Sequence, residues 1–414
     1  MTSAPTTTMP APRKHLLDVL RFGAAFAVVV YHFTATPTAS TYWGTDVTAL
    51  FDGINQVTRY GWLAVEAFFV ISGFAILWSS QGRTVAQFTG SRAGRLYPAL
   101  WACVLVTALL QSVWTGGREL SVGDTLLNLT MAPDVFGAEL SQVVYWTLLV
   151  ELKFYVLVGL LMLLGPLTRG RVLTLALAWP AAGMLVRGFG YPEVAEHLVV
   201  RHSVYFGIGM ILFLLWQDVS ARREAEPDGT RRALAVDAGA LALLLVLAGD
   251  RVTTSSEHAA ALQGVPVHAG VAVVVLLAVV GAVWLAVQPG ATVREPHLAA
   301  LCVLAGALTY PLYLVHTQFG WAVTEALAGQ GVNAWAVLVA ATTVSLVLAA
   351  AIHYAVERPF STRLRRAVTR RLTPGPTRPS RPVAPDDRAA QGHDAHAVRS
   401  QDVVAQAQQA RVAA

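Results

Sequence analysis

Ten apolar runs, each long enough to cross a bilayer, constrain this chain more than any other feature. A transmembrane helix needs about 20 mainly apolar residues. Runs of this length lie at residues 15–34, 60–79, 97–115, 145–165, 171–189, 200–217, 231–249, 267–287, 298–319 and 333–355. Only 13% of the residues are charged, whereas soluble domains have about 25%. The sequence therefore predicts an all-α, polytopic transmembrane helix bundle of about ten helices, with the lipid bilayer as its first partner.

The distribution of Lys and Arg predicts how the bundle is oriented. With the N-terminus inside, the inner segments hold eighteen of these residues, while the outer segments hold Arg59, Arg118, Arg187, Arg201 and Arg251. Cytoplasmic loops carry such an excess of positive charge. We therefore expect both termini to be cytoplasmic and the protein to be a multi-pass protein of the cytoplasmic membrane. The sequence pI near 9.4 then reflects topology, and no nucleic-acid partner is expected.

Composition divides the chain into three parts. Residues 1–12 are polar and Pro-rich and lack the basic start of a signal peptide, so we expect a disordered N-terminus. Residues 367–414 lack apolar periodicity and predict a disordered cytoplasmic tail. The transmembrane domain, residues 13–366, leaves no room for a soluble core, so any chemistry must come from helices and short loops. Cys103 and Cys302 lie within apolar runs, and no metal site is expected.

The first apolar run contains a cation, Arg21, and an imidazole, His32, separated by ten residues of which none is charged. On a helix they return to within about 20° of one face and stand about 16 Å apart. Asp18 lies three residues before Arg21 and can pair with it. An intramembrane Arg or His is costly in lipid unless it faces a partner or a water-filled cavity, which indicates a functional role. A snorkelling Arg with a capped interfacial His explains the spacing equally well.

Three further helices carry isolated polar side chains. Glu66 and Ser72 lie in GWLAVEAFFVISGF, and Glu151 lies beside Lys153 in YWTLLVELKFY. A Glu clamped to a Lys or Arg of another helix explains these residues as well as catalysis does. His316 ends the segment TYPLYLVH near the predicted outer side. A structural role is the more frequent one for such a lone interfacial His.

One basic motif and one acidic motif lie at the predicted inner boundary of the membrane. Arg92 and Arg95 in SRAGRLYP are three apart and share a face if the helix extends that far. Two guanidinium groups on one face suit bidentate binding of phosphate, although positive-inside anchoring also accounts for them. In YAVERPF, Pro359 is expected to end the last helix, and Glu357 is expected to clamp the inner face by meeting an Arg.

Taken in order, the Arg21 to His32 element, GWLAVEAFFVISGF, SRAGRLYP, YWTLLVELKFY, TYPLYLVH and YAVERPF resemble the acyltransferase-3 family of integral membrane acyltransferases. The resemblance covers about residues 13–360. It differs mildly from the family pattern at Glu66, where many members carry Asp, and at Thr309, where many carry Ser. The longer side chain of Glu66 shifts the reach of its carboxylate by one methylene group.

The resemblance implies roles for the remaining motif residues. Arg21 and His32 form the family's catalytic signature. Arg92 and Arg95 match the element associated with acyl-CoA, and Glu357 with Pro359 matches the Glu-x-Pro element. The implied activity is a membrane O-acyltransferase that moves an acetyl or other short acyl group from acyl-CoA, its donor substrate, to a hydroxyl of a carbohydrate, cell-envelope glycan or small glycoside.

The chemistry leaves alternatives open at the level of single residues. His32 would take the proton from the acceptor hydroxyl, or would itself form an acyl-imidazole. Asp18 or Glu151 would fix the tautomer of His32 or pair with Arg21. A transporter or exporter would use the same charges as a substrate or proton path, and a sensor or scaffold would tolerate loss of His32. The two arginine-containing motifs together favour the enzyme.

Overall fold

The structure is a computed structural model that describes residues 13–197, 200–221 and 228–373, and in these residues the chain forms helices and no strand. The helices are α1 (His15–Thr34), α2 (Pro37–Trp43), α3 (Val47–Leu50), α4 (Asp52–Thr58), α5 (Leu63–Ser80), α6 (Val85–Gln111), α7 (Val122–Asn128), α8 (Trp146–Leu163), α9 (Arg169–Gly188), α10 (Pro192–His197), α11 (Val200–Ala221), α12 (Asp228–Gln263), α13 (Ala269–Val287), α14 (Pro296–Ala328), α15 (Ala334–Ile352) and α16 (Arg358–Leu372). Short 3₁₀ helices occupy Pro133–Phe136 and Val143–Tyr145, and one π-helical turn occupies His353–Glu357. The predicted disordered N-terminus, residues 1–12, and the predicted tail beyond residue 373 lie outside the described residues.

Each of the ten apolar runs corresponds to a helix, which confirms the predicted polytopic bundle. The ten are α1, α5, α6, α8, α9, α11, α12, α13, α14 and α15. In the described part of the chain, nine spans are long and apolar enough to cross a membrane, and α9 is the exception. Arginines at both of its ends and Pro180 in its middle lower its apolar character. α6 begins at Val85, well before the predicted start at residue 97, and so includes Arg92 and Arg95.

The directions of the neighbouring helices show that α9 also crosses the bundle. α8 and α11 run the same way, because Trp146 contacts His202 near their starts and Phe154 contacts Phe206 further along. α9 lies between these helices in the chain and must carry it back. Trp179 at its middle packs on Phe154 and Phe206, with ring centroids 6.0 and 5.6 Å away. The described part of the chain therefore makes ten crossings, and α1 begins at the end of the bundle where α15 finishes.

We call this end the proximal end and the opposite end the distal end. Lys14 donates a 2.7 Å hydrogen bond to the carbonyl oxygen of Val287, which ties the start of α1 to the end of α13. Arg169 at the start of α9 lies 2.8 Å from Asp218 and 2.5 Å from Asp237. Because both carboxylates lie inside the bundle, this paired cation fixes the proximal ends of α9, α11 and α12 relative to one another.

The last described helix, α16, lies against the proximal part of α6. Its backbone at Ser361 and Arg365 approaches Gly94 closely. α16 passes through the predicted domain boundary at residue 367 and ends at Leu372. Six arginines and no acidic residue lie along its length. A helix of this composition suits the water and headgroup layer at the proximal membrane boundary.

The sequence predicted that Pro359 ends the last membrane helix, and the structure shows that it does not. α15 finishes at Ile352, the π-helical turn follows, and Pro359 is the second residue of α16. Proline is tolerated in the first turn of a helix, where its missing N–H group would have no helical partner. The motif therefore starts a new helix, and the π-helical turn makes the break.

A close seam joins α5 and α11. A Cβ atom placed on Gly73 would lie 2.9 Å from the Cα atom of Gly209, and one placed on Gly209 would lie 2.8 Å from the Cα atom of Gly73. Small residues at a membrane helix interface let two backbones approach to this distance. The seam holds the two helices that carry Glu66 and His202 in a fixed register.

Candidate active site

The distal end of α1 is held by side-chain hydrogen bonds to its last carbonyl groups. The hydroxyl of Thr36 donates to the carbonyl oxygen of His32 at 3.0 Å, and the indole N–H of Trp43 donates to that of Phe33 at 2.9 Å. These carbonyls have no partner within the helix, so the side chains replace the bonds that the helix cannot make. As a result the half-buried ring of His32 has a defined position.

α14 brings a second imidazole to His32. A Cβ atom on Gly320 would overlap the ring of Phe33, so glycine at this position lets α1 and α14 approach. Nε2 of His316 then lies 3.2 Å from Nδ1 of His32. His316 is fully buried. The sequence suggested a lone interfacial ring at this position, whereas the structure places it beside the predicted catalytic residue.

His32 lines a cavity that we call the distal cavity. The other polar and aromatic side chains in its lining include Tyr31, Trp62, Glu66, Trp146, Arg201, His202, His258 and Trp321. Nδ1 of His202 lies 3.4 Å from a carboxylate oxygen of Glu66. Glu66 therefore pairs with an imidazole and not with the Lys or Arg that the sequence suggested. The cavity volume of about 550 Å³ lies within the range of small-molecule sites.

The short helix α2 closes the distal cavity above Trp321. The ring of Tyr42 stacks on Trp321 with centroids 5.0 Å apart, and Trp321 donates a 3.4 Å hydrogen bond to the carbonyl oxygen of His32. Burial, together with the nearby carboxylate of Glu325, raises the pKa of Tyr42. The phenol of Tyr42 therefore stays neutral at physiological pH, and the contact between Tyr42 and Trp321 adds no charge near His32.

A second cavity, the proximal cavity, contains the predicted arginines. Arg21 from α1 and Arg92 and Arg95 from α6 line it, with Ser72 and Glu151 on other walls. The two arginines of α6 thus face one space, as their spacing predicts. The cavity volume is about 80 Å³, much smaller than that of the distal cavity.

The arginines of α6 have no carboxylate partner in the part of the chain that the structure describes. Arg92 donates a 3.4 Å hydrogen bond to the hydroxyl of Ser79, and its guanidinium carbon lies 5.8 Å from the ring centroids of Phe88 and Tyr155. Arg21 lies 3.8 Å from Asp18, which confirms the predicted pairing. Arginines of a membrane domain that lack an acidic partner can bind an anion.

The carboxylates that the sequence offered as partners of His32 lie elsewhere. Asp18 is 2.6 Å from Arg13 in addition to its contact with Arg21. Glu151 accepts hydrogen bonds from the hydroxyls of Tyr155 and, at 3.1 Å, Ser72. Helical spacing indicates which residues share a face but not which helix that face meets. The contacts therefore support pairing of Asp18 with Arg21 and give neither carboxylate a contact with the imidazole.

A thin wall of side chains separates the two cavities. Val65 and Tyr313 line both of them. The hydroxyl of Tyr313 hydrogen-bonds to that of Thr147 at 2.9 Å, and its ring packs edge-on against Phe68 with centroids 5.8 Å apart. The arginine-lined space and the imidazole-lined space are thus divided by about one layer of side chains.

Glu357 has a different partner from the one expected. Nδ1 of His353 lies 2.9 Å from its carboxylate, within the same π-helical turn. The predicted contact with an Arg is not present among the described residues, where a side chain one turn away on the same element contacts the carboxylate instead. Sequence analysis also missed Tyr313 and His202 as parts of the site. The signal for His202 was a titratable ring at the start of an apolar run, and Tyr313 lies within the motif that ends at His316.

Comparison with protein families gives one match that covers most of the chain. A family model described as Acyl_transf_3, acyltransferase domain, matches residues 14–354. Comparisons with curated proteins and with solved structures gave no match. The matched range includes the ten crossing helices up to the π-helical turn and every side chain of the two cavities. The chain therefore belongs to the acyltransferase-3 family and is a membrane acyltransferase.

Proposed function

We propose that the protein transfers a short acyl group from acyl-CoA, bound at the proximal cavity, to a hydroxyl of a glycan or glycoside in the distal cavity. The observation that supports this most directly is the arrangement of the two cavities. Arg92 and Arg95, which have no acidic partner among the described residues, line one of them and His32 lines the other, with Val65 and Tyr313 between them. A donor and an acceptor would then approach the same wall from opposite sides.

The proximal cavity suits the donor. Acyl-CoA is a polyanion made in the cytoplasm, and planar guanidinium groups bind phosphate with two parallel hydrogen bonds. The excess of Lys and Arg in the segments of this end favours a cytoplasmic location for it. The narrow volume favours a slender thioester-bearing arm with a short acyl group.

The distal cavity suits a sugar hydroxyl. Indole rings at Trp62, Trp146 and Trp321 supply flat apolar faces, while Glu66 and Arg201 supply hydrogen-bonding groups. A concave site with apolar walls and a few polar groups binds and orients a small polar ligand. The acceptor would thus be modified at the extracytoplasmic side of the membrane.

The proposed reaction uses His32 as a general base. Its imidazole takes the proton from the acceptor hydroxyl, and the oxygen attacks the thioester carbonyl carbon. The new carbon–oxygen ester bond forms as the carbon–sulfur bond breaks. The proton then passes from His32 to the departing sulfur of coenzyme A, so the imidazole returns to its starting state. Arg21, lining the donor cavity, offers positive charge to the bound thioester.

Replacing Arg92 and Arg95 together with alanine should weaken donor binding more than it alters acceptor preference. The two guanidinium groups have no carboxylate partner among the described residues, so their removal takes away the charge available to phosphates. A double lysine variant should recover only part of the affinity, because a point charge lacks the planar fork. Titration of the purified protein with acetyl-CoA measures both effects.

A matched control removes two exposed arginines that line neither cavity. Arg294 precedes α14, and Arg366 lies on α16. The double variant Arg294→Ala with Arg366→Ala changes net charge equally and should bind acetyl-CoA like the parent protein. Unchanged donor affinity after loss of Arg92 and Arg95 would reduce their role to membrane topology.

Sealed inside-out vesicles test the direction of transfer. In these vesicles the cytoplasmic face is outside, so added acetyl-CoA should be consumed. A membrane-impermeant sugar acceptor should be modified when it is trapped in the lumen and not when it is added outside. Mass spectrometry of both acceptor pools for a new ester mass gives the result. Equal modification of an acceptor added outside would overturn the proposed transfer between the two sides.

A further inference from the structure

The protonation of His316 follows from the atoms around its ring. Its Nδ1 lies 3.0 Å from the carbonyl oxygen of Tyr313 and 3.2 Å from that of Leu312. A carbonyl oxygen only accepts hydrogen bonds, so Nδ1 must carry the hydrogen. In the neutral ring the lone pair is then on Nε2, the atom that faces His32.

The tautomer of His32 follows in turn. Its Nδ1 lies 3.0 Å from the carbonyl oxygen of Val28 and 3.2 Å from Nε2 of His316. Both of these atoms are acceptors, so Nδ1 of His32 carries the hydrogen and shares it between them. The lone pair of His32 is therefore on Nε2, which is the atom available to remove a proton from a hydroxyl.

We propose that His316 is the positioning residue for His32 and takes the place that a carboxylate holds in a Ser-His-Asp triad. This inference rests on the proposed function of His32 as a base. When the acceptor O–H bond breaks, its proton forms an N–H bond at Nε2 of His32. The resulting imidazolium keeps its Nδ1–H directed at Nε2 of His316, which shares the charge. That proton at Nε2 of His32 later passes to the coenzyme A sulfur.

Backbone carbonyl groups offset part of the cost of such a shared charge in this buried place. The negative ends of three carbonyl groups point at the two rings, from Val28, Leu312 and Tyr313. These oxygens favour the protonated state of either ring without adding a formal charge. An imidazolium formed on either ring during the reaction therefore has a carbonyl oxygen as hydrogen-bond acceptor.

No carboxylate contacts either ring in the described parts of the chain. Glu66 shares the distal cavity with His32 but is bound to His202. A neutral partner has an advantage within a membrane, because a buried carboxylate is costly when its cation is absent. With two imidazoles the resting pair carries no formal charge, and the pair is charged only while the extra proton is on it.

Three substitutions of His316 separate this role from simple packing. Glutamine places an amide oxygen near the position of Nε2 and can accept the hydrogen bond from His32. Asparagine reaches only as far as Nδ1, and phenylalanine keeps the ring without an acceptor. Partners that orient an imidazole in metal sites cost about 10-fold to 100-fold when removed. We expect kcat to fall by that order for His316→Asn and His316→Phe, and to be largely restored in His316→Gln.

The donor affinity provides the second readout. The arginines of the proximal cavity are untouched, so titration with acetyl-CoA should give the same Kd for all three variants. Full kcat in both the asparagine and the phenylalanine variant would overturn the role of His316 while leaving His32 as the base. An active His32→Ala protein would instead overturn the proposed function itself, so the two failures are distinguishable.

A spectroscopic measurement tests the pair without any substitution. In the full protein labelled with ¹⁵N-histidine, the ¹⁵N shifts of His32 should show a protonated Nδ1 and an unprotonated Nε2 at neutral pH. His32→Ala identifies these signals by their loss. The opposite tautomer, with hydrogen on Nε2, would overturn the proposal even if every His316 variant failed to fold.

Discussion

Acyl transfer is expected to fall about 100-fold to 10,000-fold when His32 is replaced by alanine, because removal of a general base has an effect of that size. The substitution should leave the bundle folded. The end of α1 stays fixed by side-chain hydrogen bonds from the hydroxyl of Thr36 to the carbonyl of residue 32 and from the indole N–H of Trp43 to that of Phe33, neither of which uses the imidazole. Product formation measured by mass spectrometry, with purified protein of normal elution profile, gives the rate.

A suitable control removes an imidazole that has no place in either cavity. His297 is exposed in the first turn of α14, and only its backbone N–H is engaged, by the side chain of Glu295. His297→Ala should transfer acyl groups at the parent rate. Normal product formation by a well-folded His32→Ala protein would contradict the role of His32 as general base.

The largest loss of stability is expected from Gly209→Ala. The new Cβ atom would overlap the carbonyl oxygen of Val70 and would lie 2.8 Å from the Cα atom of Gly73. Overpacking of a core usually costs about 1 to 3 kcal/mol. Here the opposing atoms are backbone and cannot turn aside, so we expect a cost at or above the upper end of that range. Thermal unfolding of the detergent-purified protein measures it as a lower Tm.

Gly239→Ala is the matched control for that experiment. Gly239 lies within α12, and a Cβ atom placed on it would meet nothing within 4 Å. Alanine in an exposed helix interior is favoured over glycine by up to about 1 kcal/mol. The control should therefore keep or slightly raise the Tm. An equal Tm for both variants would show that α5 and α11 do not meet as closely as the structure has them.

The helices were largely predictable, because lipid imposes one simple requirement on length and polarity. The exceptions occur where polar residues lie in a helix. α6 begins at Val85, but its first three turns hold Gln, Ser, Thr and two arginines, so the apolar run starts late. A different signal was present there, since Thr84 and Gln87 form a capping box that fixes the start of the helix.

The site was predictable only as far as single helices determine it. The common face of Arg92 and Arg95 follows from helical spacing, and so does the contact between Asp18 and Arg21. The contact between His32 and His316 does not, because it joins residues 284 positions apart on two different helices. Spacing describes one helix at a time, whereas this contact depends on how closely α1 packs on α14.

The seam between α5 and α11 bears on how anything crosses this bundle. A carrier that alternates between two openings rocks or slides groups of helices past each other. At Gly73 and Gly209 backbone rests on backbone, and such a contact offers no flexible side chain to absorb sliding. The coenzyme A part of the donor and the glycan or glycoside acceptor would then stay on their own sides of the bundle. Under the proposed transfer, movement would be confined to the scale of a side chain such as Tyr313, and only the few atoms of the acyl group would change sides.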